Sequence, residues 1–294
     1  MLSQMSSPPL NHPLVGLYEP VDTKLQNHTL KLEILFLDWN DIEAKTQLQA
    51  FLARAKENKR LPLLTLEPFH DRAAGRSSAD LMGDVIAGHH DKAISAISQT
   101  LATHPGPVLL RFGHEMDITG QYPWGSISPS NYIKLYHTVF QKFAIQRPNN
   151  LQWVWSPAGR PSADRFWPGN DYVNIIGISI YASRAWTQDR SLQSFSQQLE
   201  QKRWLQQRFG RPLLVAEAGV SGSAADQKRW IEEAMASLGR FPEVCGLVYF
   251  QAPQPTWMPL PTGPENWQLK AEPLRWLLDQ LPLPARRGLA CVKA

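Results

Sequence analysis

Apolar residues gather along this chain in short, strand-length runs, separated by longer stretches in which they recur every third or fourth position. Eight such runs follow one another: Leu14–Tyr18, Leu32–Trp39, Leu61–Leu66, Val108–Phe112, Leu151–Trp155, Val173–Tyr181, Pro212–Val215 and Gly246–Phe250. Their near-continuous apolar character predicts parallel strands buried on both faces. Between them, helical spacing predicts Asp41–Asn58, with Ile42, Leu48, Phe51, Leu52 and Ala55 on its apolar side and Asp41 as its cap. Further helices are predicted over His89–Thr103, Pro129–Phe143 (opened by Ser128 or Ser130), Leu192–Phe209 (closed by Gly210), Asp226–Leu238 (closed by Gly239) and Pro273–Leu281. Eight strand units in 294 residues predict an α/β fold, a closed (β/α)8 TIM barrel. The competing doubly wound sheet would carry a glycine-rich phosphate loop after its first strand; here that strand runs into Tyr18-Glu19-Pro20. Residues 13–284 are therefore read as one catalytic barrel, 1–12 as a flexible N-terminal segment and 285–294 as a C-terminal tail. The Pro-rich stretch from Ala252 to Pro264 follows the eighth strand and is read as an active-site loop.

In such barrels the active site forms at the C-terminal ends of the strands. The fourth run continues Arg111-Phe112-Gly113-His114-Glu115-Met116-Asp117, and the seventh continues Ala216-Glu217-Ala218-Gly219. Each places a glutamate at the predicted mouth. Period-two alternation groups Arg111, Gly113 and Glu115 on one face, and Leu213, Val215 and Glu217 on another, if the strands stay regular. A single strand-end glutamate is as readily a solvated or salt-bridged side chain; two, on the fourth and seventh strands, point to chemistry. Paired carboxyls across a cleft suit glycosidic bond cleavage, one donating a proton and its partner attacking the anomeric carbon. The two roles need different acidities, hence different surroundings.

The stretch RFGHEMDITGQYPWG at 111–125 resembles the strand-four signature of glycoside hydrolase family 26 of clan A, the β-mannanase-like enzymes. The stretches IAGHHDKAISAI at 86–97, WVWSPAG at 153–159, FWPGNDYVNIIGISIY at 166–181 and LLVAEAGV at 213–220 agree in order, so the resemblance runs from about residue 30 to 280. It implies a retaining, endo-acting glycosidase with Glu115 as general acid/base and Glu217 as nucleophile. It further implies His114 beside the sugar under attack, Tyr181 hydrogen-bonded to the nucleophile, and Trp124 in a sugar-stacking wall. Arg111 either tunes a neighbouring carboxylate or forms a structural ion pair. Phe112, Gly113 and Asp117 depart from the family's common proline, bulkier residue and asparagine, and these departures bear on the sugar subsite. By its place at a strand end, Trp155 is read as a sugar contact and Trp153 as core. His70 and Trp257, on loops after the third and eighth strands, are candidate cleft residues, as are Trp267 for an outer subsite and Glu67 for sugar contact or bracing. Family analogy favours β-1,4-mannan, with β-1,3-xylan and mixed-linkage β-glucan as alternatives. A carbohydrate-binding barrel without turnover, and a barrel acting on an exopolysaccharide within a synthesis system, are the other readings.

Composition changes little of this. Eleven tryptophans suit sugar stacking and core packing alike. A net charge of +4 from scattered basic residues implies no nucleic-acid partner, and Arg286-Arg287 is read as part of a solvated tail. His114-Glu115 lacks a second histidine at helical spacing, so no zinc-protease motif is present, and neither a metal nor another cofactor is implied. His89-His90 is read as an exposed pair near a helix start. Cys245 is read as a buried thiol and Cys291 as a tail residue, with no bridge expected between them. No apolar run is long enough to span a membrane, and Met1 to Pro13 lacks the features of a secretory signal, which leaves the compartment open. The implied partner is a polysaccharide or oligosaccharide substrate, and a monomer is expected.

Overall fold

Eight parallel strands close into a barrel in chain order: β1 (Leu14–Tyr18), β2 (Leu32–Asp38), β3 (Leu61–Glu67), β4 (Val108–Phe112), β5 (Leu151–Trp155), β6 (Ile175–Ser183), β7 (Leu213–Ser221) and β8 (Val244–Phe250). The ring shuts where β1 pairs with β8, from Leu14↔Gly246 to Tyr18↔Phe250. The computed structural model describes residues 10–19, 29–70, 81–146, 148–255, 263 and 265–292. Around the barrel lie α1 (Ala44–Glu57), α2 (Leu81–Ile86), α3 (Asp91–Ala102), α4 (Pro129–Ile145), α5 (Phe195–Lys202), α6 (Trp204–Phe209), α7 (Ala224–Arg240) and α8 (Ala271–Asp279).

Period-two alternation divides the apolar residues into two cores. Leu32, Ile34, Leu63, Leu109, Val154, Ile175, Leu214, Ala216 and Val248 fill the barrel. Their neighbours one residue along, such as Leu64, Leu110, Ile176, Leu213 and Val215, pack outward in the larger cluster shared with the helices. Helix ends follow their local chemistry. Ser128 caps α4 by accepting from the Asn131 backbone N–H, and Ser223 with Asp226 forms a capping box on α7. Gly210 closes α6 in the left-handed conformation (φ 69°). The predicted helix 192–209 is instead two, meeting at Arg203, and α7 runs through Gly239 to Arg240. Asp41 does not cap α1, whose first residue is Ala44; its carboxylate accepts from the Glu43 backbone N–H at 2.8 Å. His90 is buried and stacks on Trp39 with ring centroids 4.5 Å apart, so only His89 of that pair is exposed.

The C-terminal residues differ from the free tail expected. Arg286 and Arg287 pair antiparallel with Asn11 and Leu10, and the Leu289 backbone N–H donates to the Pro242 carbonyl at 2.7 Å. The chain thereby folds back beneath the start of β8. Cys291 reaches Cys245 with a Cα–Cα separation of 5.2 Å, and the two form a disulfide. The expectation of an unbridged thiol at Cys245 is thus corrected: spacing along the chain could not reveal that a two-residue strand returns the C-terminus to the barrel's N-terminal end. Both sulfurs lie inside the barrel core, with Val292 packed against them. The bridge joins residues 46 apart, a loop for which chain entropy gives a stabilisation of about 4 kcal/mol, with 2–4 typical of measured cases. Cys291→Ala is therefore expected to lower the thermal midpoint by roughly 5–10 °C, and dithiothreitol to lower that of the wild type but not of the variant. Equal midpoints with and without reductant would contradict this.

Candidate active site

The fourth strand delivers its glutamate through a turn. β4 ends at Phe112, and both Gly113 and Glu115 take positive φ, 53° in each case. The regular extension that would group Arg111, Gly113 and Glu115 on one face is therefore absent; the missing Cβ of Gly113 would point at Tyr132 and Trp124, away from the cleft. Left-handed backbone at a non-glycine residue costs about 1–3 kcal/mol. At Glu115 it is held by a hydrogen bond from its own N–H to the Ser156 carbonyl (2.7 Å) and by the Ile118 N–H on its carbonyl (3.0 Å). The result is a carboxyl aimed into the barrel mouth, accepting from Gln121 Nε2 at 2.6 Å.

The seventh strand delivers its glutamate through a bulge. Ile178 pairs with Val215 but the next residue, Ser179, pairs with Glu217, so Ala216 is the extra residue. Leu213 and Val215 face the helices. Without the bulge Glu217 would join them; with it, Glu217 turns inward beside Ser179. There Glu217 is gripped from two sides. Arg111 Nη1 donates to Oε1 in a buried ion pair, and the Tyr181 hydroxyl donates to Oε2 at 2.8 Å. Arg111 is itself fixed by its Nε bond to Ser156 Oγ (2.8 Å). His114 Nε2 lies 3.8 Å from Glu217 Oε1 and 3.0 Å from the Tyr122 hydroxyl. Burial, aided by Arg111, holds the His114 imidazole well below its usual range, so it stays neutral.

Glu115 and Glu217 line one cavity of about 560 Å³ at the C-terminal end of the barrel, with Tyr181, Glu67 and Tyr122. Its aromatic surface comes from Tyr18, Phe36, Phe250, Trp267 and Trp186. Tyr18 packs on Phe36 and Phe250 (4.7 and 4.8 Å), and Trp267 bridges Tyr181 and Trp186 (4.8 and 5.4 Å). Several expected sugar contacts lie elsewhere. Trp124 is fully buried, stacked on Tyr122, and donates its indole N–H to the His114 carbonyl, so it supports the cleft wall from behind. Trp155 is also fully buried, edge-on to Trp167 and Phe209 in the helix layer, because Val154 and not Trp155 faces the barrel interior. Asp117 accepts from the backbone N–H groups of Ala158, Gly159 and Arg160 and so shapes the loop after β5. His70 is partly buried on the loop after β3 and is not among the cavity-lining residues. Trp257 lies outside the described residues. Conversely Tyr122, Gln121, Trp186 and Lys202 line the cavity without having been singled out. Tyr122 stands two residues from Trp124 in the same motif, and Trp186 sits just past the end of β6, so position at a strand end was the available signal.

The carboxyls of the cavity are not alike. Burial, and then the negative charge of Glu217, raises the Glu115 pKa to about 7. The same two causes, with Asp38 third, raise Glu67 to about 8. For Glu67 the fold thus favours the neutral acid. The stability it contributes is complete below its ordinary 4.5 and is lost as pH rises through about 8. Glu67→Gln, a neutral isostere, is expected to gain in stability over wild type by on the order of 3 kcal/mol more at pH 8 than at pH 5. Thermal midpoints of both proteins at the two pH values check this; a pH-independent difference would refute it. Among the described residues, no group of three or more His, Cys, Asp or Glu is placed to hold a metal ion. Nor is any helix long and apolar enough to cross a membrane.

Comparison with known proteins finds glycoside hydrolases. Residues 69–199 match the sequence model of glycosyl hydrolase family 26. A β-1,3-xylanase of an Alcaligenes species is 26% identical over 144 residues, 47% of this chain and 30% of that protein. A mannan endo-1,4-β-mannosidase of Bacillus subtilis is 30% identical over 127 residues, 40% of this chain and 31% of that protein. The chain spans about 30% of the length of the curated relatives it matches. A family 26 β-mannanase structure from Bacteroides ovatus superposes with a TM-score of 0.65, covering 92% of this chain and 87% of that one. At 14% identity, that likeness is one of fold.

Proposed function

We propose, from the match of residues 69–199 to glycosyl hydrolase family 26, that the chain belongs to that family and is a retaining, endo-acting hydrolase of a β-linked polysaccharide, with β-mannan as the first substrate to test. The observation that carries this reading is the convergence of Glu115 and Glu217 on one open cavity in two different electrostatic settings. Glu217, held by Arg111 and Tyr181, acts as the nucleophile; its attack on the anomeric carbon forms a glycosyl ester. Glu115 delivers its proton to the departing glycosidic oxygen. In the ester Glu217 has lost its charge, and with it goes part of the push that keeps Glu115 protonated. Glu115 then takes a proton from water, whose oxygen attacks the anomeric carbon and releases Glu217. Two inversions leave the product with the substrate's configuration. Retaining enzymes of this type hold the two carboxyl groups roughly 5 Å apart.

The test is reducing-sugar release from mannan, glucomannan, β-1,3-xylan and mixed-linkage β-glucan, with NMR of the first-formed anomer. Internal cleavage yielding the β-anomer is the expected result. A folded protein that binds these glycans and releases nothing from any of them would be a carbohydrate-binding barrel instead.

A further inference from the structure

The cavity has two electrostatic ends. Around Glu217 gather Glu67 and Tyr18, whose pKa values are raised by burial first and then by the negative charge of the neighbouring carboxylates. Around Glu115 the lining includes two cations, Arg160 on the loop after β5 and Lys202 at the end of α5. Lys202 Nζ donates to the carbonyls of Ala158 (2.6 Å) and Ser179 (2.5 Å), which fixes the ammonium beneath the loop that carries Arg160. Burial draws its pKa down to about 8 against the pull of Glu115 and Asp117, and the positive charge of Arg160 adds to the lowering. Two like charges thus share one wall. Neither makes an ion pair with a carboxylate among the described residues. Asp117, whose charge also reaches Lys202, already accepts from three backbone N–H groups. Cations held together at a cleft surface without a counter-ion create a local field that attracts an anion. Neutral sugar hydroxyls do not require one.

We propose that the Arg160–Lys202 wall is a subsite for a carboxylate-bearing sugar on the leaving-group side of the cleaved bond. The side follows from the chemistry, because Glu115 protonates the leaving oxygen, and of the two catalytic carboxyls it is the charge of Glu115 that acts on Lys202, with Arg160 beside that ammonium. An acidic sugar on the Glu217 side would meet the Glu217 carboxylate, whose charge helps to hold Glu67 neutral. The preferred bond is therefore one between a neutral glycone and a uronate-type acceptor unit. This deepens the glycanase reading and rests on it.

Matched substrates test the subsite. Glucomannan and mixed-linkage β-glucan, each partially oxidised at C6 to uronate, are compared with the unoxidised polymers. On the backbone that is cleaved, kcat/KM is expected to be about tenfold higher for the oxidised form, the size of one charge-assisted contact. The advantage should shrink in 0.5 M NaCl, as screening requires (Debye length roughly 4 Å), and in R160Q. Mass spectrometry should place uronate at the newly formed non-reducing ends. R160Q alters an exposed side chain, and an unchanged thermal midpoint controls for folding. Equal or poorer hydrolysis of the oxidised polymer, an oxidised-to-unoxidised ratio untouched by R160Q, or uronate at the new reducing ends would overturn the subsite while leaving the glycanase reading intact. No release from any polymer, oxidised or not, overturns both.

Discussion

Glu217→Ala is expected to lose turnover on polysaccharide by on the order of 10⁶-fold, the deficit that follows removal of the nucleophile from another two-step hydrolase. The loss should be partly restored by azide, and the product identifies the role. With a dinitrophenyl glycoside, azide enters the space vacated by the carboxylate. It attacks the face that Glu217 attacks, expels the aryloxide, and leaves an α-glycosyl azide after a single inversion. Arg111 makes this rescue physically apt. It is fully buried and paired with Glu217, so the alanine variant leaves a guanidinium uncompensated. Breaking a buried pair from one side typically destabilises by about 3–5 kcal/mol. A small anion in the vacancy restores both the attacking group and the charge balance. The variant should therefore melt lower than wild type, and azide should raise its midpoint. An alanine variant retaining wild-type kcat would end the assignment, and a β-glycosyl azide would move the nucleophile elsewhere.

The barrel was legible because its signal is repeated: eight apolar runs, each recovered as a strand, seven of them to within two residues at either end and the seventh, read as Pro212–Val215, running on to Ser221. The two glutamates were legible as strand-end residues, but the reason each faces the cleft was not. For Glu217 alternation alone groups it with Leu213 and Val215, which face the helices. The bulge at Ala216 reverses that grouping, and a bulge follows from pairing with β6, which one strand's sequence does not encode. For Glu115 the decisive feature is a positive φ at a glutamate, held by the Ser156 carbonyl of another strand's end. Trp124 and Trp155 show the same limit. An aromatic ring is equally suited to core and to sugar, and one residue of alternation decides which. Trp155 falls on the helix side, while Trp186, in a short turn after β6, falls on the rim of the cavity. The disulfide was hidden for a related reason, since Cys291 meets Cys245 only after Arg286 and Arg287 pair with the N-terminal segment.

Glu115 should impose an alkaline limb on kcat/KM. Its proton is needed in the first step, and with a pKa of about 7 it is about 90% protonated at pH 6 and about 10% at pH 8. Above the midpoint the rate should fall tenfold per pH unit on polysaccharide, whose leaving group needs the proton. Glu115→Ala is expected to cost about 10²–10⁴-fold on that substrate and to erase the limb. A dinitrophenyl glycoside separates this role from mere structural support. Its leaving group departs without protonation, so formation of the glycosyl ester should be nearly as fast in Glu115→Ala as in wild type, seen as a burst of aryloxide. Hydrolysis of that ester should then be slow, because no base activates water. Azide needs no base, and here it attacks the ester from the opposite face, giving a β-glycosyl azide. The contrast with the α-azide of Glu217→Ala turns on a single difference, which face of the anomeric carbon each carboxyl addresses. Should both variants give the same anomer, or should the limb persist in Glu115→Ala, the two carboxyls do not divide the work as their surroundings imply: one buried and pushed toward neutrality by its partner's charge, the other anchored between Arg111 and Tyr181.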